Sequence, residues 1–247
     1  MLCATQAIAA PVVRGCESDF DWPPLSYQTL DANGQASWHG LGYVLAETAF
    51  SSMGYSLQVS RMPWARCLAE AAAGRFDVLL LSSYSPERER DFLYSAPLVS
   101  TTLGLFHLRN RHLPERFYDA KALGRFRLCA VNSANLSAFQ VEPGRVDFSA
   151  FDLDAVVAKI VSGRCDYAPV VIEVFQATLF RDGLNYGADP RFGFSKADWV
   201  GKVDYMTLFP RNLPSSAALR DRYNAALKQL HEQGIYDRLA EQYHWPH

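Results

Sequence analysis

The chain has 247 residues, with 24 Lys and Arg against 26 Asp and Glu and a formal net charge of −2. That balance, with no basic run, argues against nucleic acid or an anionic membrane surface as partner, and no apolar stretch approaches the ~20 residues of a membrane span. Hydrophobic residues make up 49% of the chain, enough for a full core, and the length allows one large domain or two lobes of ordinary size.

Residues 1–10, MLCATQAIAA, open apolar and small, and Ala7-Ile8-Ala9 fits a signal-peptidase cleavage pattern. The segment is read as the tail of a signal peptide, against the alternative of an ordinary frayed terminus. Val12 to Cys16 reads as the first strand, and Glu17 to Leu25 as a rigid loop. Asp31-Ala32-Asn33-Gly34-Gln35 signals a hairpin or turn. His39 to Leu45 leads into a helix reaching about Ser52, Gly54 ends it, and Tyr55 to Ser60 forms a strand. Gly40-Leu41-Gly42 is too short and isolated to be a dinucleotide fingerprint.

The most informative stretch is 63–97. Pro63 suits a first helical position, Trp64, Leu68, Ala71 and Ala72 share one helix face, and Gly74 stops the helix. Phe76 to Leu81 is almost continuously apolar, as in a parallel strand buried on both faces. A hydroxyl cluster follows, Ser82, Ser83 and Ser85, and Ser85-Pro86-Glu87 reads as an N-cap, a proline at the first helical position and an acid in the first turn. Arg88 lies inside that turn. Ligands of open α/β sheets bind beyond the carboxyl ends of the strands, and a guanidinium there can grip a carboxylate through two N–H bonds. Arg90 is read as its solvated neighbour.

Further on, Leu98 to Leu108 reads as a strand, Asp119 to Gly124 as a turn, and Arg127 to Val131 as a strand. Asn132-Ser133-Ala134-Asn135 is expected to open a helix whose free N–H groups attract an anion. Asp152 caps a helix ended by Gly163, and Cys165 to Val171 is a strand. Gly163-Arg164-Cys165-Asp166 echoes Gly74-Arg75-Phe76-Asp77, which argues for two similar α/β lobes. Residues 181–200 are irregular. Lys202 to Pro210 is a strand, and Leu219, Tyr223, Ala226, Leu227 and Leu230 mark an amphipathic helix before Gly234 and a last short helix.

The motif carried by Trp64, Gly74, Arg75, Asp77, Ser83, Ser85, Glu87, Arg88, Tyr94, Ser95 and Pro97, with a C-terminal pattern from Tyr223 to Tyr243, resembles the type II periplasmic solute-binding proteins of the polar amino-acid class, family 3. The resemblance covers nearly the whole chain. It implies an α/β fold of two lobes, each a central mixed sheet flanked by helices, joined by two hinge strands. Lobe one is expected over 11–106 and 206–247, and lobe two over 107–205. It further implies a monomer in the periplasm that captures a small polar, carboxylate-bearing (amino-acid-like) ligand between the lobes and works with ABC-transporter membrane subunits, without a cofactor. By resemblance Arg88 grips the ligand carboxylate, assisted by Ser82, Ser83, Ser85 and the segment Ser133, Ala134 and Asn135. Asp19 faces the ligand ammonium, and Trp22 and Trp64 sandwich the ligand.

In amino-acid-binding members an acid five residues after the second G-x-x-D Asp holds the ammonium; here that place is Val171, and Glu173 lies two residues on, where strand alternation would point it the same way. This departure speaks against an ordinary α-amino acid ligand. Two alternatives from the same resemblance are a periplasmic cyclohexadienyl (arogenate/prephenate) dehydratase-like enzyme, with Glu173 as the acid, and a ligand-sensing module acting through a partner. Of the five cysteines, Cys129 and Cys165 sit in predicted strands and could be neighbours. Buried free thiols are the expectation for Cys16, Cys67, Cys129 and Cys165, with a disulfide open to an exported protein. The histidines are read mostly as surface residues.

Overall fold

The computed structural model describes residues 10–132 and 134–245. The signal-peptide segment, apart from Ala10, and the candidate residue Ser133 lie outside them.

In chain order the first elements are β1 (Val12–Ser18), β2 (Tyr27–Leu30), β3 (Ala36–His39), α1 (Leu41–Ser52), β4 (Ser56–Met62), α2 (Trp64–Ala72) and β5 (Val78–Ser83). They are followed by α3 (Pro86–Glu89), β6 (Phe92–Tyr94), β7 (Val99–Leu108), β8 (Arg116–Phe117), α4 (Ala120–Leu123), β9 (Leu128–Val131) and β10 (Val146–Ala150). The last are α5 (Leu153–Val161), β11 (Ala168–Val171), α6 (Ile172–Ala177), β12 (Phe192–Ala197), β13 (Lys202–Pro210), α7 (Ser216–Glu232) and α8 (Ile235–Gln242).

Lobe one is built on β4-β1-β5-β13, with β1 parallel to both β4 and β5, and with β13 and β6 antiparallel. Every residue of β5 is buried, as its unbroken apolar run requires of a central strand. The C-terminal helices return to this lobe: Tyr223, Ala226, Leu227 and Leu230 of α7 recur at helical spacing and pack with Phe50 of α1 and Phe209 of β13. Lobe two gathers β11 and β12 against the second half of β7, β8 beside β12, and the parallel pair β9 and β10.

Two strands cross between the lobes. Residues 99–102 of β7 pair with β13, whereas residues 103–108 pair with β11 and β12. The hydrogen-bonded ladder is therefore continuous through the crossing, because β7 and β13 pair with each other there. The change of partner falls between Thr102 and Leu103, a few residues before the boundary expected at 106. Apolar packing still separates: Phe106, Phe139, Phe175 and Tyr167 belong to clusters of lobe two, and Phe50, Phe209 and Tyr223 to lobe one, with Val171 and Val174 reaching across.

The repeated G-R-x-D unit has the same structural role in each lobe. Asp77 accepts from the backbone N–H of Arg14 at 2.8 Å and from its guanidinium, while Arg14 O accepts from Asp77 N–H. Asp166 repeats this on Arg127, with the backbone bond at 2.9 Å. Asp77 fastens the approach to β5 to β1, and Asp166 fastens the approach to β11 to the start of β9, so the echo is a genuine repeat.

Several expectations change. Pro63 precedes α2 as its cap residue, with Trp64 opening the helix. The strand read over 76–81 is β5 two residues later, which puts Ser82 and Ser83 in its last positions. Asn132, Ala134 and Asn135 are not helical; between β9 and β10 the helical turns are 3₁₀, Ser137–Phe139 and Pro143–Arg145. The reason is local competition: Asn135 Oδ1 accepts from Ser137 N–H, a side-chain turn that replaces helical bonding. Glu173 is in the first turn of α6, not in a strand. Cys16 and Cys67 are not free thiols but a disulfide joining β1 to α2. Cys129 and Cys165 are buried, free and within thiol hydrogen-bonding reach of one another. His107 is buried against Tyr167 instead of lying on the surface, and burial holds its pKa below the usual value.

Candidate functional site

Between the lobes lies a cavity of about 130 Å³. The carboxyl ends of β1 and β5 deliver Glu17, Ser18, Leu81, Ser82 and Ser83 to it, and α3 delivers Arg88. Phe20 and Trp22 come from the loop after β1, Trp64 from the start of α2, and Leu103 and Tyr205 from the crossing strands. Lobe two closes it with an apolar wall from Leu136, Phe139 and Leu153 to Pro169, Val170, Val171 and Val174, interrupted by Asn132 and Asn135.

Arg88 is the cation of this cavity. The proline-started turn behind β5 aims it back over the strand end, where Nη1 donates to Ser82 Oγ at 2.9 Å and to Ser83 O at 3.3 Å. Its guanidinium carbon sits 5.5 Å from the Trp64 ring centroid, a cation–π contact. No carboxylate lies within ion-pairing distance among the described residues, and burial lowers its pKa, the cost of a charge without a counter-ion. The remaining N–H groups form a fork suited to a planar anion. Arg90, by contrast, is 84% exposed and paired with Asp91.

Leu81, which also lines the cavity, adopts a left-handed backbone (φ 51°). Its Cδ2 lies 2.5 Å from where a Cβ on residue 42 would sit, so any side chain in place of Gly42 at the start of α1 would have to displace Leu81 from the cavity wall.

Of the other expected site residues, Trp22, Trp64, Ser82, Ser83, Ala134 and Asn135 line the cavity. Trp22 meets Tyr205 edge-on with ring centroids 5.4 Å apart. Asp19 does not line it and is exposed. Ser85 is buried outside it: its hydroxyl donates to the Glu87 carboxylate, an acceptor that draws it away from capping α3. Glu173 is also outside the lining; its carboxylate accepts from Thr102 N–H at 2.9 Å, at the point where β7 changes partner.

Asn135 joins the lobes. Its Nδ2 donates to Ser83 Oγ at 3.0 Å and to Tyr84 O at 2.6 Å. Two such bonds, at about 1 kcal/mol each, shift a closed-to-open ratio by more than tenfold. Asn135→Ala is therefore expected to raise the radius of gyration of the ligand-free protein in small-angle scattering; an unchanged value would mean the amide does not hold the lobes together.

Glu17 is the acid that sequence reading overlooked. The strand was expected to end at Cys16, but β1 runs to Ser18, paired with Arg61 and Met62 of β4. Alternation was the available signal: Val13, Gly15 and Glu17 share the buried face. The carboxyl accepts from Ser26 Oγ at 2.8 Å, and burial raises its pKa to about 7, with Arg61 opposing. An unfolded Glu ionises near 4.5, so between that pH and 7 the folded chain binds the extra proton and stability falls as pH rises. The penalty reaches about 3 kcal/mol above that window. Glu17→Gln is expected to be more stable than the parent at about pH 8 and equal to it near pH 4; urea midpoints at both values check this, and equal midpoints at the higher pH would show that Glu17 ionises without penalty.

The sequence profile of the bacterial extracellular solute-binding proteins, family 3, matches residues 16–246. Among curated proteins none matches the chain significantly. A solved substrate-binding protein of an amino acid ABC transporter superposes with a TM-score of 0.73 at 18% identity, covering 94% of this chain and 98% of its own. A histidine kinase sensor domain similar to periplasmic binding proteins gives 0.73 at 21% identity, covering 94% and 95%. An ancestral amino acid-binding protein, described as a precursor of cyclohexadienyl dehydratase, gives 0.69 at 19% identity, covering 94% and 95%. These likenesses establish the type II periplasmic-binding fold, and the profile match over nearly its whole length shows that this chain belongs to the bacterial extracellular solute-binding proteins, family 3.

Proposed function

We propose that the protein is an exported, monomeric binding protein that captures a small carboxylate-bearing ligand between its lobes and passes it to ABC-transporter membrane subunits. The observation that carries this reading is Arg88: a half-buried guanidinium in the interlobe cavity, positioned by Ser82 and Ser83, set against the Trp64 ring and without a carboxylate in ion-pairing distance among the described residues. An anion entering the cavity supplies the missing counter-charge, and closure of the apolar wall around it strengthens the pairing by excluding water. Ligand capture is favoured over dehydratase chemistry by the place of Glu173, whose carboxylate is held on Thr102 N–H outside the cavity.

A thermal-shift screen of amino acids, amines, and aliphatic and aromatic carboxylic acids tests the reading. A ligand bound only by the folded state raises the melting temperature with concentration. Carboxylates are expected to shift it and amines lacking a carboxylate are not. The reverse pattern would remove Arg88 as the anchor.

A further inference from the structure

We infer that the ligand is a small apolar monocarboxylate without an α-ammonium group. The inference rests on the anchoring of a carboxylate by Arg88 and goes on to what the rest of the cavity can accept.

An α-ammonium is one carbon away from its carboxylate, so its acceptor must line the cavity within a few ångströms of the carboxylate that Arg88 holds, on either lobe. The groups that meet Arg88 directly are the Ser82 hydroxyl and the Ser83 carbonyl, both accepting from it, and the Trp64 ring; of its further neighbours Tyr94 and Tyr205 are phenols, and Glu87 lies outside the lining with its carboxylate accepting from Ser85 Oγ. Among the described residues, Glu17 is the one acid that lines the cavity. Its backbone is offset from the strand end that positions Arg88: β1 and β5 pair Cys16 with Leu79, which puts Glu17 level with Leu80, two residues before Ser82. Its carboxyl is engaged by Ser26 Oγ, and its charged neighbours are Arg61 and Asp21. Glu173 accepts from Thr102 N–H instead of facing the ligand.

The surface that lobe two presents to Arg88 carries no acid and is apolar apart from the amides of Asn132 and Asn135. Val171 stands where the resemblance places an acid for the ammonium, and Val170, Val174, Leu136 and Phe139 extend that wall. Closing such a surface over an ammonium would strip its water and return no acid, a cost that an uncharged hydrocarbon body does not meet. Trp22, Trp64 and Tyr205 provide flat apolar contact for such a body.

Calorimetry with matched pairs tests this: 4-methylpentanoate against leucine, and 3-phenylpropanoate against phenylalanine. The members of each pair share a carbon skeleton and a carboxylate and differ only in the ammonium. In at least one pair the amine-free acid is expected to bind at least tenfold more tightly, and Arg88→Ala is expected to abolish that binding. Equal or tighter Arg88-dependent binding of leucine or phenylalanine overturns this inference and leaves the anchor standing. The same holds if Glu173→Gln weakens their binding, since Glu173 would then turn toward the ammonium. Binding of the amine-free acids that survives Arg88→Ala overturns the anchor itself. If none of the four compounds binds the parent protein, the inference falls, while the broader carboxylate screen still decides the anchor.

Discussion

Arg88→Ala is expected to weaken binding of any carboxylate ligand by tens to thousands of fold. Truncating one partner of a buried, hydrogen-bonded charge pair costs ~2–5 kcal/mol, and Arg88 sits in the cavity with its guanidinium already oriented by Ser82, Ser83 and the Trp64 ring. Arg88→Lys is expected to recover little, because an ammonium can neither stack flat on Trp64 nor offer a planar fork. Arg90→Ala is the control: its pair with Asp91 is exposed and worth at most about 1 kcal/mol. Calorimetry on the three variants, with a ligand from the screen, separates the cases. Retention of affinity by Arg88→Ala, or its loss in Arg90→Ala, would place the anchor elsewhere.

Removing the Cys16–Cys67 disulfide with the double substitution to alanine is expected to lower stability by about 4 kcal/mol. The bridge closes a loop with a sequence separation of 51, and the chain-entropy relation gives that magnitude for a loop of this length. For a protein of this size the loss corresponds to a fall in Tm of about 8–16 °C. Both half-cystines are fully buried among Ala71, Leu79, Phe92 and Leu208, so lost packing adds to the effect. Calorimetric melting with and without a reducing agent is the check. Reductant should lower the Tm of the parent and leave the double variant unmoved; a double variant melting with the oxidised parent would show that the bridge does not stabilise the fold. The bridge also ties β1, which carries Glu17, to α2, which carries Trp64, so two walls of the cavity share one covalent support.

Features governed by neighbours along the chain were legible without a structure. The apolar run before Ser82, the proline-started turn holding Arg88 and the two G-R-x-D units follow from local backbone preference and periodicity, and the structure keeps each of them. Trp22 and Trp64 could likewise be placed near the strand ends because their segments adjoin a strand or open a helix. What required the tertiary structure was the choice of partner across distance. Cys16 meets Cys67 because β1 passes beneath α2; Glu17 loses its water because Ser26 and the loop after β1 fold over it. Asn135 and Glu173 lie in segments short enough for a tertiary partner to override local pattern. Asn135 bonds Ser83 and Tyr84 of the other lobe, and Glu173 bonds the backbone of a crossing strand, where a one-residue change between strand and helix turns a side chain out of the cavity. Periodicity specifies which face of an element is apolar; only register and the closing of one lobe on the other decide which polar groups remain unpaired between them.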